Sequence, residues 1–137
     1  MPNLNHEVAP VFEKYPKQAK KYLLELRHLI YLAAADLNIK DINETLKWGE
    51  PSYLCKTGST IRIDWKASTP KNAYIFFNCK SLLITTLKEL YPDDLIFQSN
   101  RAIILDINQP IKQDIIQHCF SLALNYHKLK TTPLLGC

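Results

Sequence analysis

The sequence predicts an α+β domain: an antiparallel five-stranded sheet packed on one face by two long helices and one short helix. Two observations carry this. Apolar residues recur at three- and four-residue steps near both ends of the chain, the period of a helix with one buried face. Between them lie short β-rich runs separated by Gly, Pro and Asn, the punctuation of strands and turns. Helix, three strands, helix, two strands, helix is an order that suits a largely antiparallel sheet with its helices layered on one side.

Pro16 opens the first long helix from a first-turn position, where its missing N–H costs little. Ala19, Tyr22, Leu23, Leu26, Ile30, Ala33 and Leu37 form its apolar stripe, and Lys17, Lys20, Lys21 and Arg27 fall on the opposite face with Glu25. Asn38 is a suitable stop, because asparagine tolerates the left-handed conformation of a helix end. Asp41 to Leu46 is read as a short helical turn, broken by Gly49 and Pro51. Tyr53 to Lys56 and Thr60 to Lys66 then flank a Thr57-Gly58-Ser59 hairpin loop. The third strand runs from Ala73 to Asn78, after a turn over Ser68 to Asn72.

Ser81 is placed to cap a short helix with Leu82, Leu83, Leu87 and Leu90 buried, ended by Pro92. Leu95 to Gln98 and Ala102 to Ile107 are the last strands, joined at Ser99-Asn100-Arg101. The final helix follows Asn108-Gln109-Pro110, with Ile111, Ile115, Cys119, Leu122 and Tyr126 inward. Residues 1–9 and 131–137 are expected to be loose tails of this single domain.

Composition narrows the class. At 137 residues the chain buries roughly two-thirds of its unfolded surface without a metal or disulfide staple. Its net charge of +4 favours contact with anions, yet it is modest for a dedicated nucleic-acid binder. The four cysteines form no C-x-x-C pair, and no His-Cys spacing matches a zinc site. No signal peptide or membrane-length apolar run is visible, so a cytoplasmic protein with reduced thiols is expected.

Strand alternation sorts the side chains into two faces. Tyr53, Cys55, Ile61, Ile63 and Trp65 share an apolar face that should meet the helices. Leu54, Arg62 and Asp64 take the other, with either Tyr74, Phe76 and Asn78 or their neighbours beside them. A face mixing aromatics with Arg62 and Asp64 is a groove for a small ligand, or else a half-solvated surface with an ion pair.

Further residues are singled out by position. Trp48, Glu50 and Tyr53 frame a Trp-Gly-Glu-Pro-Ser-Tyr corner, where Glu50 can serve a ligand while Trp48 and Tyr53 pack against the core. Cys79, beside Lys80 and before the short helix, is either a reactive thiolate or a structural thiol. Asn100 suits the last turn, and Arg101 can clamp a carboxylate or phosphate, or pair with Asp93 or Asp94. Asp114 and His118 are four apart on the final helix and can touch. No nucleophile–base pair, Gly-rich phosphate loop or paired-carboxylate signature supports an enzyme. Leu24 and Tyr31, on the basic side of the first helix, leave open a homodimer contact.

Glu44-Thr45-Leu46-Lys47-Trp48-Gly49-Glu50-Pro51-Ser52-Tyr53, Thr60-Ile61-Arg62-Ile63, Tyr74-Ile75-Phe76-Phe77-Asn78-Cys79 and Ser99-Asn100-Arg101-Ala102 together resemble the YdhG-like family, a bacterial domain of unknown function. The resemblance runs from the first long helix to the last. It implies a frataxin-reminiscent α+β fold. It also implies, as one functional possibility, an intracellular iron chaperone delivering iron to iron–sulfur assembly proteins. The residues themselves favour a small-molecule or anionic ligand held by Trp48, Glu50, Tyr53, Arg62, Cys79, Asn100 and Arg101. Stacking of single-stranded nucleic acid on the aromatic sheet face is a third reading.

Overall fold

A computed structural model describes all 137 residues. The fold is α+β, with an open antiparallel sheet in the order β1-β2-β3-β4-β6-β5. Its strands are β1 Asn43–Lys47, β2 Glu50–Leu54, β3 Ile61–Trp65, β4 Asn72–Phe77, β5 Ile96–Gln98 and β6 Ala102–Asp106. The helices are α1 Ala9–Lys14, α2 Lys17–Asp36, α3 Leu83–Leu90, α4 Gln113–Leu124 and α5 Tyr126–Leu129, followed by a 3₁₀ turn at Pro133–Gly136.

The sheet has six strands rather than five. Residues 43–46 of the expected helical turn belong to strand β1, Asn43–Lys47, joined to β2 by Trp48-Gly49. Both turn residues have positive φ, 56° at Trp48 and 75° at Gly49, which is the mirror-image turn whose twist matches a two-residue hairpin. Glu44, Thr45 and Leu46 therefore extend and pair with Tyr53, Ser52 and Pro51.

The main core lies between the sheet and α2, α3 and α4, around Leu23, Leu26, Ile30, Ile61, Ile63, Ile75, Phe77, Leu83 and Phe120. Arg27 corrects the reading of the first long helix. It belongs to no solvent-facing basic face and is only 2% exposed, held against Glu44. The short helix starts at Leu83, one residue later than its expected buried stripe, and leaves Leu82 half exposed. In α4 Ile116, Cys119, Phe120 and Ala123 form the buried ridge and Ile115 is partly covered, while Ile111 lies before the helix starts.

The loop between β2 and β3 is fastened to the end of α4. Ser59 N–H donates to the Ala123 carbonyl at 2.9 Å, and the Thr57 hydroxyl donates to that of Leu124 at 2.8 Å. Gly58 passes so close to those carbonyls that a Cβ would meet Leu124 O at 3.0 Å. At the chain ends, the Pro2 and Asn3 carbonyls accept from Arg27, and Leu135 is buried in the core. No helix is long and apolar enough to cross a membrane.

Candidate functional site

The outer face of the sheet, away from the helices, carries its own small cluster. Register pairs Arg62 with Phe76, Asp64 with Tyr74, Tyr74 with Ile104 and Phe76 with Ala102, so all six point the same way. Tyr74 and Phe76 stack two residues apart on one strand, with centroids 5.5 Å apart and planes 8° from parallel. The Arg62 guanidinium lies over the Phe76 ring at 5.0 Å, and Lys66 Nζ sits 5.6 Å from the same centroid. Both are cation–π arrangements, and they cover the aromatics on one side.

Charges interlock beside the rings. Arg62 Nη1 donates to Glu50 Oε1 at 2.5 Å. Lys66 Nζ bridges the two carboxylates, 3.4 Å from Glu50 Oε2 and 3.3 Å from Asp64 Oδ2. The Tyr15 hydroxyl, reaching from the α1–α2 junction, donates to Asp64 Oδ1 at 2.8 Å. Burial raises the Glu50 carboxyl above its usual range, and the Asp64 charge adds to this; Arg62 and Lys66 oppose both. Burial would lower the Lys66 ammonium, but the Asp64 and Glu50 charges outweigh it and the group is raised.

Around this cluster is a concavity of about 750 Å³, with Glu50, Arg62, Lys66, Tyr74, Phe76 and Arg101 in its wall. Arg101 stands on the β5–β6 turn, where Ser99, at φ 50°, takes the left-handed position expected of an asparagine. It has no ion-pair partner. Asp94, one of the two acids considered for it, is 3.6 Å from Lys112 instead. The Ser52 hydroxyl, paired with Arg62 in the register, is the one buried side-chain oxygen without a hydrogen-bond partner.

Of the seven residues singled out in the sequence, Glu50, Arg62 and Arg101 come together here. Asn100 is exposed on the adjoining turn outside the wall. Tyr53 lies on the opposite face, fully buried, where its hydroxyl donates to Glu44 Oε2 at 2.7 Å. Trp48 does not pack its corner against the core: it projects from the hairpin tip, 90% exposed. Cys79 is exposed and removed from the helix N-terminus by the Asn78–Ser81 turn.

Lys66 and Tyr15 belong to this cluster although the sequence reading did not single them out. The alternation Arg62, Asp64, Lys66 was a usable signal for the lysine. Nothing local announces Tyr15, which is 49 residues from its partner.

A second charged constellation lies on the inner face. Arg27 Nε and Nη2 grip Glu44 at 2.6 and 3.1 Å, and Asn5 N–H donates to Glu44 Oε1 at 3.3 Å. Burial alone would raise the Glu44 carboxyl, but hydrogen bonds from Arg27 and Tyr53 outweigh it and hold the group low. Every polar atom of this pair is occupied within the fold, which marks it as structural. Asp114 makes no ion pair with His118, which contacts Tyr91 instead. No three His, Cys, Asp or Glu side chains converge as a metal-binding group. Comparison with protein-family models, curated proteins and solved structures returns no match for this chain.

Proposed function

We propose that this protein binds a small anionic molecule on the outer face of its sheet, without chemical conversion. The observation that carries the reading is the convergence of Arg62, Lys66 and Arg101 on one concavity beside the Tyr74–Phe76 stack. A cleft with an apolar floor and a few converging charged groups is the usual form of a ligand site. Arg101 is the cation left without an acid, so it makes the first contact with a carboxylate or phosphate group. Arg62 and Lys66 are already neutralised by Glu50 and Asp64, so a ligand must compete for them. Tyr74 and Phe76, 5% and 8% exposed, form a floor beneath Arg62 and Lys66, so a ligand would meet the cations rather than the ring faces. Free thiols at all four cysteines fit a cytosolic setting.

The test is a thermal-shift screen of small carboxylates and phosphomonoesters, followed by calorimetry on whatever stabilises the protein. At a ligand concentration of one hundred times Kd, stabilisation should reach about 2.7 kcal/mol. Arg62→Gln with Arg101→Gln should abolish that shift, and Glu50→Gln should enlarge it by releasing Arg62. A shift that persists in the double variant refutes the site. An anaerobic ferrous titration of wild type and Glu50→Gln tests whether the Glu50–Asp64 pair serves an iron-carrier role instead.

A further inference from the structure

The protein has two exposed thiols, and their surroundings differ. Cys79 makes no hydrogen bond through its sulfur and lies on an open turn. Cys137 Sγ lies 3.7 Å from His118 Nε2, and the other ring nitrogen, Nδ1, is 2.5 Å from the Tyr91 hydroxyl oxygen. Three separate parts of the chain build this arrangement. Tyr91 closes α3, His118 sits in the middle of α4, and Cys137 follows the 3₁₀ turn. That turn is fixed in place, because Leu135 is buried in the core and residues 134–136 all have positive φ, which swings the chain back toward α4.

The roles follow from which group can hold which proton. Tyr91 meets the imidazole edge-on, with ring planes 84° apart. Burial raises the Tyr91 phenol first, and the neighbouring Cys119, Cys137 and Asp94 add to it, so the phenol keeps its proton at neutral pH. It is therefore no base, but its oxygen can accept from Nδ1–H. That tautomer leaves the Nε2 lone pair facing the thiol. Once Nε2 takes the thiol proton, both ring nitrogens are donors, one to the phenol oxygen and one to the sulfur. A nucleophile, a base and a group that orients the base are the parts from which activated thiols are assembled.

We propose that Cys137, His118 and Tyr91 form a reactive-thiol site that exchanges with low-molecular-weight disulfides and becomes reversibly capped. The proton of Cys137 passes to His118 Nε2. The thiolate attacks one sulfur of the disulfide, and the new Cys137 S–S bond forms as the old S–S bond breaks. The departing thiolate takes the proton back from the imidazolium and leaves as a free thiol. Cys137 is thereby oxidised to a mixed disulfide, and half of the reagent is reduced. A reducing thiol reverses the sequence. Tyr91 is a positioning residue and touches no reagent. The site lies among the helices and is built without any residue of the outer sheet concavity.

Cys79 serves as an internal control. Oxidised glutathione is added to the folded protein at pH 7, samples are quenched with acid, and the tryptic peptides 131–137 and 72–80 are quantified. The thiolate is the reacting species, so Cys137 should be capped about tenfold faster than Cys79. His118→Gln should bring Cys137 down to the Cys79 rate and leave Cys79 unchanged. Tyr91→Phe should slow Cys137 alone by a smaller factor. Equal rates at the two cysteines of the wild-type protein overturn the proposal. So does a His118→Gln protein whose Cys137 reacts as before. Capping of the buried Cys55 and Cys119 reports unfolding of a variant, and the wild-type comparison then decides.

Discussion

Replacing Glu44 by Gln removes one charge and keeps nearly the same shape, which isolates the worth of the buried Arg27 pair. In the native protein the guanidinium is 2% exposed and makes two contacts with the carboxylate, at 2.6 and 3.1 Å. Removing one partner of a buried pair costs about 3–5 kcal/mol, because the other charge has lost its solvation and gains nothing in return. Two Arg27 bonds survive, to the Pro2 and Asn3 carbonyls at 2.9 and 3.2 Å, which puts the expected loss near the lower end. For a chain of this length, a loss of about 3 kcal/mol lowers Tm by roughly 10 °C. Urea unfolding at pH 7, followed by far-UV circular dichroism, should show a lower midpoint with an unchanged slope. The double replacement Arg27→Met with Glu44→Leu should recover part of the loss, since it removes both charges but leaves the buried Tyr53 hydroxyl without its acceptor. A Glu44→Gln loss of less than about 1 kcal/mol would refute the reasoning, by showing that Arg27 keeps access to water.

Acid should expose the same carboxylate. Glu44 is held below its ordinary value of 4.5, so between the two values the unfolded chain binds more protons. Its stabilisation is present above about pH 4.5 and drains as pH falls through the folded value; Glu44→Gln should flatten that limb of a urea-midpoint profile. Gly58→Ala should destabilise by about 1–3 kcal/mol in urea, since its Cβ would crowd two backbone carbonyls and the Cys55 sulfur. Trp48→Asn should raise Tm by an amount worth about 0.5–1 kcal/mol, because asparagine tolerates the positive φ that an indole-bearing residue resists. An unchanged or lower Tm would mean that the turn stores no strain at Trp48.

The elements with a single clear period were legible in the sequence. α2, β3, β4, β5 and β6 stand where alternation or the helical stripe put them, and so do the two faces of β3. Failures occurred where one residue's environment is set by a distant partner. Arg27 reads as a surface cation because its helical position adjoins lysines, and only Glu44, 17 residues away, makes its burial tolerable. β1 was hidden because Asn43 and Glu44 have weak strand preference and gain it by pairing with β2. Trp48 is expected in the core by its size, but it supplies the turn and leaves its ring in solvent. At the candidate site, Arg62, Asp64 and Glu50 were legible from type and spacing. Their mutual neutralisation through Lys66 was not.

One short hairpin organises both faces of the sheet. Register across the Trp48-Gly49 turn sets Lys47 opposite Glu50 and Glu44 opposite Tyr53. Side chains alternate along each strand, so this same register sends Glu44 inward to Arg27 and Glu50 outward to Arg62. A one-residue slip of β1 against β2, which β3 holds in place, would turn Glu44 outward and leave Arg27 buried without its carboxylate. The two-residue loop prevents that slip, because only one pairing closes it. The strained geometry at Trp48 is thus tied to the charge layout on each side of the sheet. The buried pair and the outer charge cluster both depend on one turn, and loosening it would disturb the core and the outer concavity together.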